Sequence, residues 1–125
     1  MYLLDTNILI YFLNNDIPTS TLPEIESMLK NHFNISILNK IEFLGFRHFS
    51  PFERKQALEF INEATLFDLN EEIVEASIEL RSNYSIKLID SIIAATAKVN
   101  NFALVTRNMA DFKKIGIELI NPFKD

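Results

Sequence analysis

The sequence predicts an α/β fold, a three-layer α/β/α sandwich built on a mostly parallel central sheet of four to five strands. Short apolar runs alternate along the chain with longer segments whose apolar residues recur at helical spacing. This alternation is typical of a parallel sheet that is covered by helices on both faces. The 125 residues are enough for a hydrophobic core and include no linker-like segment, so we expect residues 1–125 to form one domain.

The elements follow from the apolar runs and from capping residues at their ends. Asp5 or Thr6 is suited to cap the first helix, and Ser50 with Glu53 predicts a capping box at the start of a later one. The segment 88–99 is apolar on nearly all sides, so we expect a central helix there. Strands are predicted at 2–4, 34–37, 65–69, 102–106 and 118–120, and helices at 6–13, 23–31, 38–48, 51–63, 70–81 and 88–99.

The composition limits the chemistry that the chain can perform. It contains no cysteine, which excludes disulfides, thiolate catalysis and Cys-type zinc sites. His32 and His48 are its only histidines, too few for a His-rich metal site. A bound metal would therefore have mainly oxygen ligands, which favours Mg²⁺ or Mn²⁺.

The sequence shows no export or membrane signal. The first residues, 1–5, lack a basic segment and a small-residue cleavage site. The longest apolar run, 88–99, is interrupted by Asp90 and Lys98 and is too short to span a bilayer. We therefore expect a cytoplasmic protein.

Two acids stand just after predicted strands. Asp5 follows the first strand, and Asp111 comes shortly after the fourth. Each also fits a bland structural role: Asp5 as a helix N-cap, and Asp111 in a cap formed with Asn108. Their position still matters, because sites in open parallel sheets lie outside the carboxyl ends of the strands.

Two further acids lie on predicted helix faces that are otherwise apolar. A helical wheel places Glu42 near Phe46 and Phe49, and Asp90 near small residues such as Ala97. A carboxylate among apolar neighbours has to be neutralised, hydrogen-bonded or bound to a metal. Glu42 paired with an arginine and Asp90 favoured by the helix dipole are the structural alternatives. If they form a metal site with Asp5 and Asp111, the four carboxyl groups should converge within a few ångströms of one position.

Four segments, in this order, resemble the motifs of the PIN domain family. Residues 3–10 resemble its opening motif, residues 41–43 its second acid, residues 88–97 its third motif and residues 106–112 its fourth. The resemblance implies an α/β/α fold and a Mg²⁺- or Mn²⁺-dependent endoribonuclease. It also implies metal ligands or water activators at Asp5, Glu42, Asp90 and Asp111, with Thr106 and Asn108 as supporting catalytic residues.

Within that family, the size and motifs are most similar to the VapC toxins of toxin–antitoxin pairs. This similarity implies an RNA substrate, a homodimer and inhibition by a small antitoxin that also binds DNA. We expect core packing to explain most of the phenylalanines between residues 43 and 60, and a groove for a partner helix at Phe43 and Leu44 is the alternative. Ser91, where alanine is common, and residues 14–34, which have no distinctive match, depart from the family pattern.

A net charge of −5 runs against nucleic-acid binding, but the candidate site accounts for most of it. Without the four acids, 13 of the 17 acidic residues remain against 12 basic ones, a balance of −1. RNA contacts would then come from scattered residues such as Lys40, Lys87 and Arg107. Shape or exposed single strands would govern the choice of substrate.

Two other functions remain open from the sequence. A haloacid-dehalogenase-like phosphohydrolase also begins with a strand that ends in Asp, but it needs a second acid two residues later, where this chain has Asn7. A non-catalytic PIN-like module would bind RNA or protein without cutting, although the presence of all four acids argues against it.

Overall fold

The central sheet has five strands in the order β3-β2-β1-β4-β5, and every neighbouring pair is parallel. A computed structural model describes residues 1–123, so the last two residues of the predicted domain lie outside the described part. The parallel sheet confirms the predicted fold class. The strands are β1 (Tyr2–Leu4), β2 (Asn34–Ser36), β3 (Thr65–Phe67), β4 (Ala103–Val105) and β5 (Leu119–Ile120).

Seven helices surround the sheet in the described part of the chain. A short 3₁₀ turn, Lys113–Ile115, follows the last of them. The helices are α1 (Thr6–Leu13), α2 (Leu22–Asn31), α3 (Ile37–Leu44), α4 (Pro51–Ile61), α5 (Glu71–Asn83), α6 (Leu88–Val99) and α7 (Met109–Phe112).

Side-chain alternation along the strands creates one hydrophobic cluster on each face of the sheet. Leu4 and Val105 pack into a cluster with residues of α1 to α4. Their neighbours Leu3 and Leu104 pack into a second cluster with residues of α5, α6 and α7. Helices therefore cover both faces, which is the predicted three-layer sandwich.

The capping signals mostly formed as predicted. Asp5 is the N-cap of α1 and accepts from the Thr6 backbone at 2.9 Å, and Ser50 and Glu53 form the capping box of α4. The N-cap position of α2 is Thr21, but its hydroxyl makes no capping bond there. It instead donates to the carbonyl of Pro122 at 2.8 Å, which ties the start of α2 to the end of the described chain.

Helix α3 is shorter than the predicted 38–48, because it ends at Leu44 with Gly45 as C-cap. Arg54 of α4 donates to the carbonyl of Leu44 at 2.7 Å and satisfies one of the groups that a helix end leaves unpaired. Residues 46 and 49 therefore do not continue the helix face that carries Glu42. Phe43 is fully buried, which confirms the expected core packing and contradicts the alternative that it forms a partner groove.

Helix α6 begins and ends at the predicted residues, but it is not enclosed along its whole length. Leu88 is 60% exposed and Ile89 36%, whereas the residues from Ile93 to Ala97 are buried. The amino-terminal turn of α6 thus reaches the surface. No helix within residues 1–123 is long and apolar enough to cross a membrane.

The strand order reverses beside β1, and this reversal fixes where a site can form. The chain runs from β1 outward to β3 and then returns to place β4 on the other side of β1. Leu4 pairs with Val105, so Asp5 and Thr106 are the next residues on two adjacent strands. Such a switch point opens a crevice at the carboxyl ends of the strands.

Candidate active site at the carboxyl end of the sheet

Asp5 is buried at this crevice and held by several donors. Its Oδ2 accepts from the Thr106 hydroxyl at 2.8 Å and from the Asn7 amide at 3.2 Å, while Oδ1 accepts from the Thr6 backbone. Burial raises the pKa of Asp5 above its usual 3.8, against the lowering effect of these hydrogen bonds, and the charge of Glu42 adds to the rise. Asp5 is thus both the predicted helix cap and part of a polar network.

Glu42 reaches the network through Thr6, whose hydroxyl donates to Glu42 Oε1 at 2.8 Å. The side chain is exposed rather than buried among apolar residues. The helical wheel overstated its burial, because α3 ends before Phe46 and Phe49. Glu42 nevertheless lies on the crevice side of α3 and does not point away from the other acids.

Asn39 connects Asp5 to the start of α3. It is completely buried, and its Oδ1 accepts from the Ser36 backbone at 2.9 Å to close the capping box. Its amide donates to the Thr6 hydroxyl at 3.1 Å and reaches Asp5 Oδ1 at 3.5 Å. The sequence analysis missed this residue. The available signal was its place three residues before Glu42, on the same helix face.

Thr106 and Asn108 connect Asp5 to Asp111. The Thr106 hydroxyl accepts from the Asn108 backbone at 2.9 Å, and the Asn108 amide donates to Asp111 Oδ2 at 2.8 Å. Asn108 is the N-cap of α7, yet its side chain makes no capping bond to the backbone. The capping interpretation of this segment therefore fails, because the amide binds the carboxylate of Asp111 instead.

Asp90 lies across the crevice in the first turn of α6. Burial, together with the charges of Asp5, Asp111 and Glu42, raises its pKa to about 6, although Lys87 acts to lower it. No residue among 1–123 donates a hydrogen bond to its carboxyl group. Asp90 is thus close enough for the charges of the other three acids to act on it, and Lys87 is a cationic neighbour.

Three of the four acids line a shared cleft, and the four do not converge on one point. Glu42, Asp90 and Asp111 line an open cavity of about 500 Å³ together with Lys87, Leu88, Ile89 and Asn108. Asp5 sits deeper, at the strand end. Within residues 1–123, no three acidic or histidine side chains are close enough together to hold one ion. The expectation of convergence within a few ångströms is therefore not met in this conformation.

The chemistry of this donor set still fits a hard divalent cation. Its acidic groups are all carboxylates, Glu42 is exposed, and a cation would relieve the repulsion that, after burial, raises the pKa of Asp90. Asn7 stands where a haloacid-dehalogenase-like enzyme needs its second acid, and its amide is already committed to Asp5. The arrangement supports metal-dependent hydrolysis better than phosphoryl transfer to an aspartate.

Comparison with solved structures finds the same fold over the whole chain. A toxin–antitoxin complex from Klebsiella pneumoniae contains a chain 28% identical, with a TM-score of 0.75 and 98% of each chain covered. A chain of VapBC2 from Rickettsia felis, bound to a promoter DNA fragment, is 28% identical with a TM-score of 0.79, and 96% of this chain and 97% of that chain are covered. A chain of VapBC-1 from nontypeable Haemophilus influenzae is 25% identical with a TM-score of 0.78, and 98% of each chain is covered.

A search of curated protein sequences finds no match. The family model described as "PIN domain", however, matches residues 2–118, nearly the whole chain. Its span includes all four acids together with Thr106 and Asn108. The chain therefore belongs to the PIN domain family, as its four motifs predicted.

Proposed function

We propose that this protein is a Mg²⁺- or Mn²⁺-dependent endoribonuclease and the toxin of a toxin–antitoxin pair. The carrying observation is the cluster of like charges at the switch point: Asp5, Glu42 and Asp111 all raise the pKa of Asp90. Carboxylates in such mutual repulsion are typical of functional sites. The family and the similar toxin–antitoxin structures agree with this function.

In this proposal Asp5, Glu42, Asp90 and Asp111 hold one or two divalent cations. When bound, the metal activates a water molecule and stabilises the oxygen that leaves the phosphorus. Thr106 fixes the Asp5 carboxylate through its 2.8 Å hydrogen bond, and Asn108 fixes Asp111. Thr6 orients Glu42 from the other side of the crevice.

The similar structures support an antitoxin as one partner of this chain. Two of them are named as VapBC and a third as a toxin–antitoxin complex, which supports a small antitoxin for this chain. An apolar groove between α5 and α6, with the exposed Ile78 and Leu88 on its lining, offers surface for contacts of a homodimer. Residues 1–125 would act as one nuclease domain in the cytoplasm, where cellular RNA is found.

The test compares two Asp→Asn variants at the carboxyl end of the sheet. Asp90→Asn removes a proposed ligand, whereas Asp68→Asn removes an exposed acid just after β3 that does not line the cleft. With single-stranded RNA and Mn²⁺ or Mg²⁺, we expect Asp90→Asn to lose about 100-fold or more in cleavage rate. Asp68→Asn should cleave RNA at the rate of the wild type. Excess EDTA should stop cleavage by the wild type and by Asp68→Asn.

Two outcomes would contradict the proposal. Equal cleavage by the wild type and Asp90→Asn would mean that the cleft does not cut the RNA. RNA binding without cleavage by any variant, with metal present, would instead favour the non-catalytic PIN-like module.

A further inference from the structure

A second cavity adjoins the carboxylate cleft and differs from it in charge. It has a volume of about 420 Å³ and is lined by Ser85, Ile86, Lys87, Asp111 and Lys114. Lys87 and Asp111 line both cavities, so the two lie side by side on the surface. One side of this passage is built from the segment between α5 and α6, and the other from α7 and the 3₁₀ turn that follows it.

The two lysines give this cavity its positive side. Lys114 Nζ donates to the carbonyl of Ser85 at 2.7 Å, which spans the cavity and holds the ammonium group over it. An ammonium group has three donors, so two N–H groups of Lys114 stay available after this bond. Lys87 lies on the border, near enough to Asp90 for its charge to lower the pKa of that acid. The chain has a net charge of −5, so the two lysines form a small region of positive charge beside the acidic cleft.

An RNA strand that crosses the acidic cleft needs positive charge beside it, because its backbone is a polyanion. If one phosphate of an RNA strand lies at the carboxylates, the neighbouring phosphates lie outside them and would be repelled by the acids. The lysine cavity is the adjoining space, and ammonium groups bind phosphate oxygens as point charges. We propose that Lys87 and Lys114 bind a backbone phosphate next to the one that is cleaved, and so set the path of single-stranded RNA across the α6–α7 side of the cleft.

This inference rests on the proposed nuclease function but predicts binding rather than catalysis. Lys87 and Lys114 are positioning residues for the strand. If their roles were only structural, to balance Asp90 and to secure the Ser85 loop, removing them would leave the salt dependence of RNA binding unchanged. The salt dependence therefore separates the two roles, since each phosphate contact with single strands contributes about 0.7 to its slope.

The binding experiment uses the full chain with Asp90→Asn, so that RNA is not cut, and a fluorescently labelled single-stranded RNA. Fluorescence anisotropy measures the dissociation constant across a series of salt concentrations, with Mn²⁺ and again with EDTA. Adding Lys87→Met and Lys114→Met should weaken binding at low salt about tenfold and reduce the slope by about 0.7, the contribution of one phosphate. Lys113→Met is the matched control. This exposed lysine immediately precedes Lys114 and lies outside the cavity, so its effect on binding should be smaller.

The same lysine changes in the active chain should raise KM while kcat is retained. The inference is overturned if the double lysine variant keeps the affinity and slope of its parent, if Lys113→Met weakens binding as much, or if the parent binds no RNA. The nuclease proposal fails separately. A wild-type chain that binds RNA through the two lysines but does not cleave it would contradict the proposed function and leave the binding surface in place.

Discussion

Asp5 and Asp90 stand on opposite sides of one crevice, and their surroundings differ. Asp5 comes from a strand end and accepts hydrogen bonds from Thr106, Thr6 and Asn7. Asp90 comes from the first turn of α6, has three like charges around it and has Lys87 as its cationic neighbour. Both have a raised pKa, but only on the Asp5 side does the protein oppose the rise with fixed donors.

The difference shows which side of the crevice the fold completes without a ligand. Fixed hydrogen bonds to a carboxylate stabilise its charged form whether or not a ligand is present. Like charges without such donors leave the charged form destabilised until a proton or a cation arrives. We therefore expect the Asp90 side to respond to metal and to pH, and the Asp5 side to respond to loss of its hydrogen bonds.

The largest effect should come from adding metal to metal-free protein. Mn²⁺ at about 100 times its dissociation constant should raise the free energy of unfolding by about 2.7 kcal/mol, because the ion binds only the folded chain. In Asp90→Asn, a thermal-shift titration should show much of this stabilisation lost at the same concentration. Asp68→Asn should respond like the wild type. Equal stabilisation of Asp90→Asn and the wild type would contradict the contrast between Asp5 and Asp90, because the cation would then bind away from Asp90.

A smaller loss should follow from breaking the Asp5 side. Thr106→Val keeps the shape but removes the hydroxyl that donates to Asp5 and accepts from the Asn108 backbone. Since Thr106 is fully buried, we expect a loss of about 1–2 kcal/mol in unfolding free energy by urea denaturation, with or without metal. Thr65→Val, at an exposed threonine of β3, is the control. Unchanged stability of Thr106→Val would show that these hydrogen bonds contribute little to the fold.

The sequence predicted the parts of the molecule that depend on local patterns. The strand β1 and the helix α6 begin and end where the apolar runs do, and Asp5 caps α1 as its position suggested. The four acids were chosen as candidates because strand ends and apolar helix faces can be recognised in a linear sequence. A parallel sheet then brings them to one edge without further information.

Contacts between distant segments could not be predicted in the same way. The end of α3 at Leu44 depends on Gly45 and on Arg54 from the next helix. The place of Asn39 beside Asp5 depends on how α3 meets β1, 34 residues earlier in the chain. Such contacts depend on tertiary packing, so the helical wheel gave Glu42 more burial than it has.

The smallest effect concerns pH and isolates Asp90. Its pKa of about 6 in the folded protein exceeds the ordinary 3.8, so the folded state binds more protons than the unfolded state between these values. The contribution of Asp90 to stability therefore falls as the pH rises through this window and stays low above it. Because the group is only half-buried, solvent screening should limit the difference to about 1 kcal/mol.

In EDTA, urea denaturation should find Asp90→Asn equal to the wild type near pH 4 and more stable near pH 7, by about 1 kcal/mol. A difference that is the same at every pH would mean that neither burial nor the like charges raise the pKa of Asp90, which would contradict the contrast between the two sides of the crevice.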